Sequence, residues 1–333
     1  MKLNRRLTLG VRLIVAAALT AVLASCTEKD LCYDHAHRAP VEIAVDWSRF
    51  TVETPTGMSV MLYPHTDGEA QTLLTNHTGG VVTSLLSDTY TALVYNQSPS
   101  EFATLVFTDM QQYDAARVNA APKTSRWYHT RDASEQIVQN PEWIGEDAAT
   151  GVEVTRAMTA SGDTALVARL QPRNIVYTIR VAIHLSNIYN FRSVRASLDG
   201  LADGYVFSRH TPTATVATQL IENWTIVPDA DNPVNGTVWA EIQSFGLPAG
   251  HEGRAGDNRL NLSLLLVDTH TQIDRTICVG DLFRPDDDTE LTLTVDERVD
   301  TPLPDVKPDG GTAGGFDVSV DDWGDDTQVD LDV

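Results

Sequence analysis

The stretch Ile175-Val-Tyr-Thr-Ile-Arg-Val-Ala-Ile-His-Leu185 indicates the fold class of this chain. Its odd-numbered positions are all apolar, whereas Arg180 and His184 lie between them. Successive side chains of a β-strand point to opposite faces of a sheet, so this alternation predicts a long strand with one buried face and one face in water.

The same period of two recurs along most of the chain. Turns rich in Gly, Pro and Asn separate the alternating segments at hairpin-like intervals, and helical signals are limited to short stretches at 109–121 and 134–138. Many short strands with this spacing are typical of antiparallel sandwiches. The alternating segments are Glu42–Trp47, Met58–Tyr63, Thr89–Tyr95, Phe102–Phe107, Thr237–Phe245, Leu260–Val267, Leu291–Val295 and Phe316–Val320.

Chain length and a break in the alternation predict two domains. The 333 residues exceed the length of one ordinary domain, and the alternation lapses between Arg126 and Gly162 before it resumes at Thr164. We therefore expect an all-β protein of two tandem antiparallel β-sandwich domains, residues 38–164 and 165–333. The second includes a Gly/Asp-rich link and a terminal strand at 316–333.

The N-terminal residues predict export and lipid attachment. A basic start, an apolar run too short to span a bilayer and the small pair Ala24-Ser25 mark residues 1–25 as a bacterial lipoprotein signal peptide. Cleavage would leave Cys26 to carry palmitate-like acyl chains, with residues 26–37 as the lipidated tether. The alternative is an ordinary secretory signal that ends near a cysteine. We expect an outer-membrane lipoprotein.

Charge excludes nucleic acid as a partner. The signal peptide contains four basic residues and no acidic one, so its removal lowers the formal charge from −22 to −26. Phosphate backbones and anionic lipids repel such a chain, and no basic stripe compensates. Contact with the membrane therefore depends on the lipid.

Catalytic and metal-binding motifs are absent from the sequence. It has no nucleophile elbow, phosphate-binding glycine loop or His-Glu-x-x-His pattern, so we expect no enzyme and no cofactor. The pair His35 and His37 lacks a third metal ligand. The acidic segments Asp229–Gly236 and Asp286–Asp288 are better explained as solvated turns than as calcium-binding loops. We expect no metal site, although the sequence leaves calcium binding at the acidic segments open.

Two cysteines remain after Cys26. Cys32 and Cys278 either pair or stay free, and the apolar neighbours of Cys278 favour a free, buried thiol.

Aromatic residues offer a different function. Trp47 and Trp239 fall in alternating strands and should fill cores, whereas Trp127, Tyr128 and Trp143 lie in the irregular segment. Exposed, these three would form a platform for host or dietary glycan. The alternative function is therefore a lipid-anchored, lectin-like module.

The C-terminal residues 300–333 contain ten Asp and one Lys, with a Gly-rich stretch before Phe316. Phe316, Val318 and Val320 would share one face of an extended strand. This strand either closes an edge of its own domain or is donated to a sheet edge of another subunit.

Several short motifs, taken in order, carry a family resemblance. They are Cys26-Thr-Glu-Lys-Asp-Leu-Cys-Tyr-Asp-His-Ala-His37, Val45-Asp46-Trp47, Gly57-Met58-Ser59-Val60, Gly79-Gly80-Val81, Ser197-Leu198-Asp199-Gly200-Leu201 and Gly314-Gly315-Phe316 through Trp323. With the lipoprotein signal, they make the chain similar to the fimbrillin-like lipoproteins of Bacteroidales bacteria.

The resemblance implies two transthyretin-like sandwiches in tandem and assembly with other fimbrial subunits by strand donation. It also implies a fimbrial anchor, accessory or tip subunit in adhesion or pilus assembly, and Glu28 and Asp30 resemble a tag for surface export. An Arg-specific protease matures related pilins. Arg38 and Arg49 lie in no convincing cleavage loop, so a retained lipid favours the anchor or accessory role.

Overall fold

The computed structural model describes residues 38–66, 68–131, 133–251, 255–286, 289–299 and 302–308. In these ranges β-structure dominates, and the one α-helix described is α1 (Arg156–Ser161). The Thr155 side chain accepts a hydrogen bond from the Met158 amide at its start, and Gly162 ends it in the left-handed conformation. The described residues from Ala39 onward belong to one compact unit.

The strands are numbered in chain order. The first eleven are β1 (Arg38–Val45), β2 (Met58–Pro64), β3 (Gln71–Thr75), β4 (Gly80–Leu86), β5 (Asp88–Asn96), β6 (Leu105–Thr108), β7 (Arg117–Ala120), β8 (Ile137–Val138), β9 (Gly145–Val154), β10 (Ala165–Leu170) and β11 (Arg173–Asn174). The remainder are β12 (Tyr177–Ser186), β13 (Phe191–Ala202), β14 (Gly204–Val206), β15 (Thr211–Pro212), β16 (Val216–Ile221), β17 (Thr225–Pro228), β18 (Asn235–Ser244), β19 (Arg259–Leu266), β20 (Gln272–Cys278), β21 (Arg284–Asp286) and β22 (Thr289–Arg298). Short 3-10 helices lie at Trp47–Arg49, Pro99–Glu101, Ile188–Asn190, Phe207–Arg209, Ala255–Asp257 and Gly280–Leu282.

An N-terminal core lies between two sheets. Their strand orders are β10-β1-β4 and β11-β9-β5-β2-β3. Val41 and Ile43 of β1 pack there with Leu62 of β2 and Ala92 of β5, all with no exposed surface. Because β1 lies between β10 and β4, the first described strand is internal to its sheet.

A C-terminal core lies between the sheets β17-β18-β12-β22-β21 and β20-β19-β13-β16-β8. The segment that predicts the fold class becomes β12, which pairs antiparallel with β18 and parallel with β22. Ile179, Val181 and Ile183 are at most 1% exposed, whereas Arg180 lies in water. The predicted burial of one face is confirmed.

A middle core joins the two halves of the chain. Its four-stranded sheet, β15-β14-β7-β6, contains strands from both halves because β7 pairs with β14. The rings of Tyr95, Phe107 and Phe207 stack there with centroids 5.0 to 6.4 Å apart. Residues from 61 to 245 therefore share one apolar cluster.

The all-β prediction is confirmed, with differences in detail. The pairs β1–β10, β8–β16 and β12–β22 are parallel, and β7 and β8 occupy parts of the segments expected to form helical turns. Trp239 lies on the wet face of β18, 41% exposed, and does not fill the core. Strand alternation is a local pattern, whereas the choice of pairing partner depends on distant residues.

The division into tandem domains stays a prediction. Strand β10 follows the predicted boundary at residue 165 but pairs with β1. This pairing favours a boundary after Leu170.

Candidate functional site

Strands β3 and β4 form one flank of the N-terminal sandwich, which we call the β3–β4 flank. Each strand ends the described order of its sheet. Leu74 and Val82 are 60% and 62% exposed, while their neighbours Leu73 and Val81 pack partly against the core. An edge strand presents backbone N–H and C=O groups that another strand can pair with. The flank thus combines such an edge with exposed apolar side chains.

The predicted aromatic pair lies elsewhere, on the outer face of the sheet that contains β13 and β16. Trp127 donates its indole N–H to Glu222 Oε1 at 2.6 Å, and the Arg195 guanidinium lies 5.8 Å from the Trp127 ring centroid. Tyr128 meets Trp127 edge to face, with centroids 5.6 Å apart. Both rings are half-buried and hold the irregular segment against the sheet.

A partly buried polar network continues from this pair. Glu135 accepts hydrogen bonds from Tyr128 and Arg131 at 2.6 Å, and Arg131 bridges to Asp199 at the same distance. Burial alone would raise the pKa of Glu135, but hydrogen bonds from Arg131, Tyr128 and Thr218 lower it to about 2. Burial raises the pKa of Tyr128 to about 12, and its hydrogen bond to Glu135 adds to the rise. The indole N–H of Trp127 and the hydroxyl of Tyr128 are thus engaged within the protein. The glycan platform at these two residues stays a prediction.

Trp143 lies in separate surroundings. It packs partly against the middle core and lines a cleft of about 330 Å³ that neither Trp127 nor Tyr128 lines. Its backbone carbonyl accepts a hydrogen bond from Asn96 Nδ2 at 3.1 Å. The structure therefore does not bring the three predicted platform residues into one site.

A larger cleft of about 760 Å³ lies where β1, β9 and β10 approach the turn at His210. Arg49, Arg169 and Arg173 line it together with Glu146, which is fully buried. Glu146 Oε1 accepts hydrogen bonds from Tyr205 Oη and His210 Nδ1, both at 3.0 Å. Sequence reasoning did not find this cluster, because Glu146 and His210 are far apart in the chain and neither belongs to a motif.

Several predicted residues lie outside the described ranges. These are the lipidation site Cys26, the second cysteine Cys32, the histidines His35 and His37, and the strand residues Phe316, Val318 and Val320. Their roles stay predictions. Cys278 is exposed at the end of β20, so the expectation that its thiol is buried is wrong.

The two candidate arginines for maturation lie in regular structure. Arg38 begins β1, and the exposed Arg49 ends a 3-10 helix. Cleavage after either residue stays untested.

The described part of the chain shows no metal-binding cluster of three or more His, Cys, Asp or Glu side chains. None of the helices in that part has the length and apolar character needed to cross a membrane.

Comparisons with known proteins agree with the fold and the resemblance. The fimbrium anchoring subunit Fim4B of Bacteroides ovatus is 22% identical over 96% of this chain and 97% of its own length. The crystal structure of an adhesin from Bacteroides ovatus gives a TM-score of 0.56 at 17% identity, over 84% of this chain and 99% of that one. The fimbrial anchor protein Mfa2 of Porphyromonas gingivalis gives 0.46 at 11% identity, over 78% and 90%.

The adhesin shares the fold of this chain, and the predicted resemblance to fimbrillin-like proteins of Bacteroidales is confirmed. A family model described as a domain of unknown function, DUF5119, matches residues 25–222. This match spans more than half of the sequence, and the chain therefore belongs to the DUF5119 family.

Proposed function

We propose that this protein is a cell-surface fimbrial subunit that anchors a fimbrium to the outer membrane. The observation that carries the proposal is the similarity to the Bacteroides ovatus anchoring subunit, which extends over almost the full length of both chains. The role is structural and needs no catalytic group.

The anchor in this proposal is the lipid on Cys26. Residues 27–37 join Cys26 to β1, and β1 lies between two strands with Ala39, Val41, Ile43 and Val45 buried. Several acyl chains on one residue hold a protein at a membrane stably, because each buried methylene contributes about 0.8 kcal/mol. The tether therefore leads directly into an internal strand, which suits a protein under load.

The neighbouring subunit in this proposal binds the β3–β4 flank. A three-stranded sheet faces a five-stranded one in this sandwich, so an added strand beside β4 would extend the shorter sheet. Its side chains would cover Val82 and its backbone would pair with the β4 edge, whereas a strand added beside β3 would cover Leu74.

Capture of fimbrial subunits from the native cell tests this flank. We expect the variant Leu74→Lys/Val82→Lys to lose co-purified β-rich subunits, because charged side chains on an edge oppose strand addition. The matched control is Tyr189→Lys, since Tyr189 is 61% exposed but lies outside the flank. Equal capture by both variants, at unchanged melting temperature, would rule out the flank as the assembly surface.

The terminal strand at 316–333 has two alternative roles, edge closure or donation. The chain leading to it is fixed at Leu303, whose amide donates to Ser186 O at 3.0 Å. We expect closure, in which deletion of residues 314–333 lowers the melting temperature. Donation would instead leave the melting temperature unchanged and abolish partner capture.

A further inference from the structure

The cleft around Trp143 joins elements from both halves of the chain. Glu53 comes from the loop before β2, Gln97 follows β5, Asn140 and Trp143 precede β9, and Gln243 lies on β18. Its volume of about 330 Å³ is at the small end of the range for small-molecule sites. One sugar ring fits this size.

Trp143 provides the apolar wall of the cleft. Part of the side chain packs against the middle core, which fixes the ring, and the side chain is half-buried. Its indole N–H donates no hydrogen bond to any described residue. A fixed indole with a free N–H offers an apolar surface and a polar group side by side. The C–H face and the hydroxyls of a pyranose match these two features.

Amide side chains provide the polar wall. The side chains of Gln97 and Gln243 form no hydrogen bonds with described residues, although their backbone carbonyls accept from Ser59 and Gln219. Asn140 Oδ1 accepts a hydrogen bond from Gln219 Nε2 at 3.3 Å. An amide donates and accepts at once, as does a hydroxyl group. The cleft is therefore prepared for a ligand that carries several hydroxyls.

The charges around the cleft favour a neutral ligand. Glu53 and Glu142 line it, and no Lys, Arg or His does. Burial raises the pKa of Glu53, and the nearby Glu142 raises it further. Carboxylates without a cation repel acidic sugars and phosphates.

The backbone at Gln97 supports a preformed site. Its φ of 62° lies in the left-handed region, which is uncommon for a residue other than glycine. The Gln97 amide donates to Gly57 O at 3.0 Å, and its carbonyl accepts from Ser59 Oγ at 2.6 Å, so both sides hold this conformation. Such strained residues cluster at binding sites.

We propose that this cleft binds a neutral pyranose sugar, with the ring against Trp143 and the hydroxyls bonded to Gln97, Asn140 and Gln243. The site goes beyond the anchoring function and does not depend on it. It would let a surface subunit bind a neutral glycan.

Saturation-transfer difference NMR on the full chain tests the site. The probes are the methyl glycosides of glucose, galactose and mannose, with methyl glucuronoside as the acidic comparison. We expect transfer to at least one neutral glycoside and weaker transfer to the glucuronoside. Trp143→Ala should abolish the transfer, whereas the exposed Trp239→Ala, outside the cleft, should leave it unchanged.

Trp143 also contacts the core, so a second variant separates binding from folding. Gln243→Ala removes an amide that holds no described partner, and we expect at least a fivefold weaker affinity at unchanged melting temperature. The proposal is overturned when no neutral glycoside receives saturation from the wild type. Equal binding by wild type, Trp143→Ala and Gln243→Ala would overturn it as well.

Discussion

At the scale of single residues, the buried carboxylate of Glu146 joins the two halves of the chain. Its partner Tyr205 lies on β14 and His210 lies in the turn that follows β14, while Glu146 is the second residue of β9. The hydrogen bond to Glu146 raises the pKa of His210 above 6.5, although burial and Arg173 oppose the rise. The contact therefore depends on pH.

His210→Ala should cost more stability at low pH than at high pH. The pKa of His210 is higher in the folded protein than in the unfolded chain, so its hydrogen bond to Glu146 contributes its full stability below about pH 6.5. This contribution is lost as the pH rises through the folded-state pKa. We expect a larger drop in melting temperature at about pH 6 than at about pH 9. The control is His129→Ala, because His129 is exposed. Equal drops for His210→Ala at both pH values would contradict the ion pair.

Gly80→Ala should destabilise the start of β4. Gly80 has a φ of +147°, and an added Cβ would lie 2.6 Å from Ile43 O of β1. We expect a loss of about 1–3 kcal/mol from backbone strain, with the clash in addition. Gly151→Ala isolates the strain, since Gly151 has a φ of +71° and a Cβ there meets nothing within 4 Å. Urea unfolding measures both variants. Equal losses of unfolding free energy would show that the close approach of Gly80 to Ile43 O does not contribute.

The residue patterns in the sequence do not predict the contacts of Glu146 or the separate surroundings of Trp143. The sequence placed Trp127, Tyr128 and Trp143 together as irregular aromatics, but the first two rings lie against β13 and β16 while Trp143 lines a cleft. Glu146 follows Gly145 in a segment without alternation. Only tertiary pairing makes its carboxylate a buried partner of His210.

At the scale of elements, β1 is the strand through which the chain enters the N-terminal sandwich from the predicted tether. Ile43→Ala should cost about 2–5 kcal/mol, because Ile43 is fully buried and the change leaves a cavity. Glu42→Ala, on the exposed face of the same strand, should change stability by less than about 0.5 kcal/mol. Guanidinium unfolding measures both. A loss below about 1 kcal/mol for Ile43→Ala would mean that β1 is not an integral core strand.

Strands were more predictable than their partners. The alternation predicted β2, β5, β12, β18 and β19 within a few residues of their observed bounds. Burial of one face of a strand produces a pattern among adjacent residues, which the sequence shows directly. The segment Phe102–Phe107 shortens to Leu105–Thr108. The parallel pairs and the middle sheet were not predicted, since β7 meets β14 across more than eighty residues.

At the scale of the whole molecule, the shared middle core predicts cooperative unfolding. Phe207 and Phe245 are fully buried there with Tyr95 and Val118 of the first half. We expect hydrogen exchange to give similar opening free energies for β2 and β12. Much easier opening of β12 would mark two domains that unfold separately, in line with the tandem domains that the sequence predicts.

Electron microscopy of the bacterium that makes this protein tests the anchoring function. The measurement counts fimbriae on cells and in the medium for Cys26→Ala, with Cys278→Ala as the control because Cys278 is the exposed cysteine of the described residues. Without the lipid, we expect Cys26→Ala to release fimbriae into the medium, while Cys278→Ala keeps them on the cell. Fimbriae that stay on Cys26→Ala cells in normal number, with the variant protein itself free of the membrane, would contradict the anchoring function.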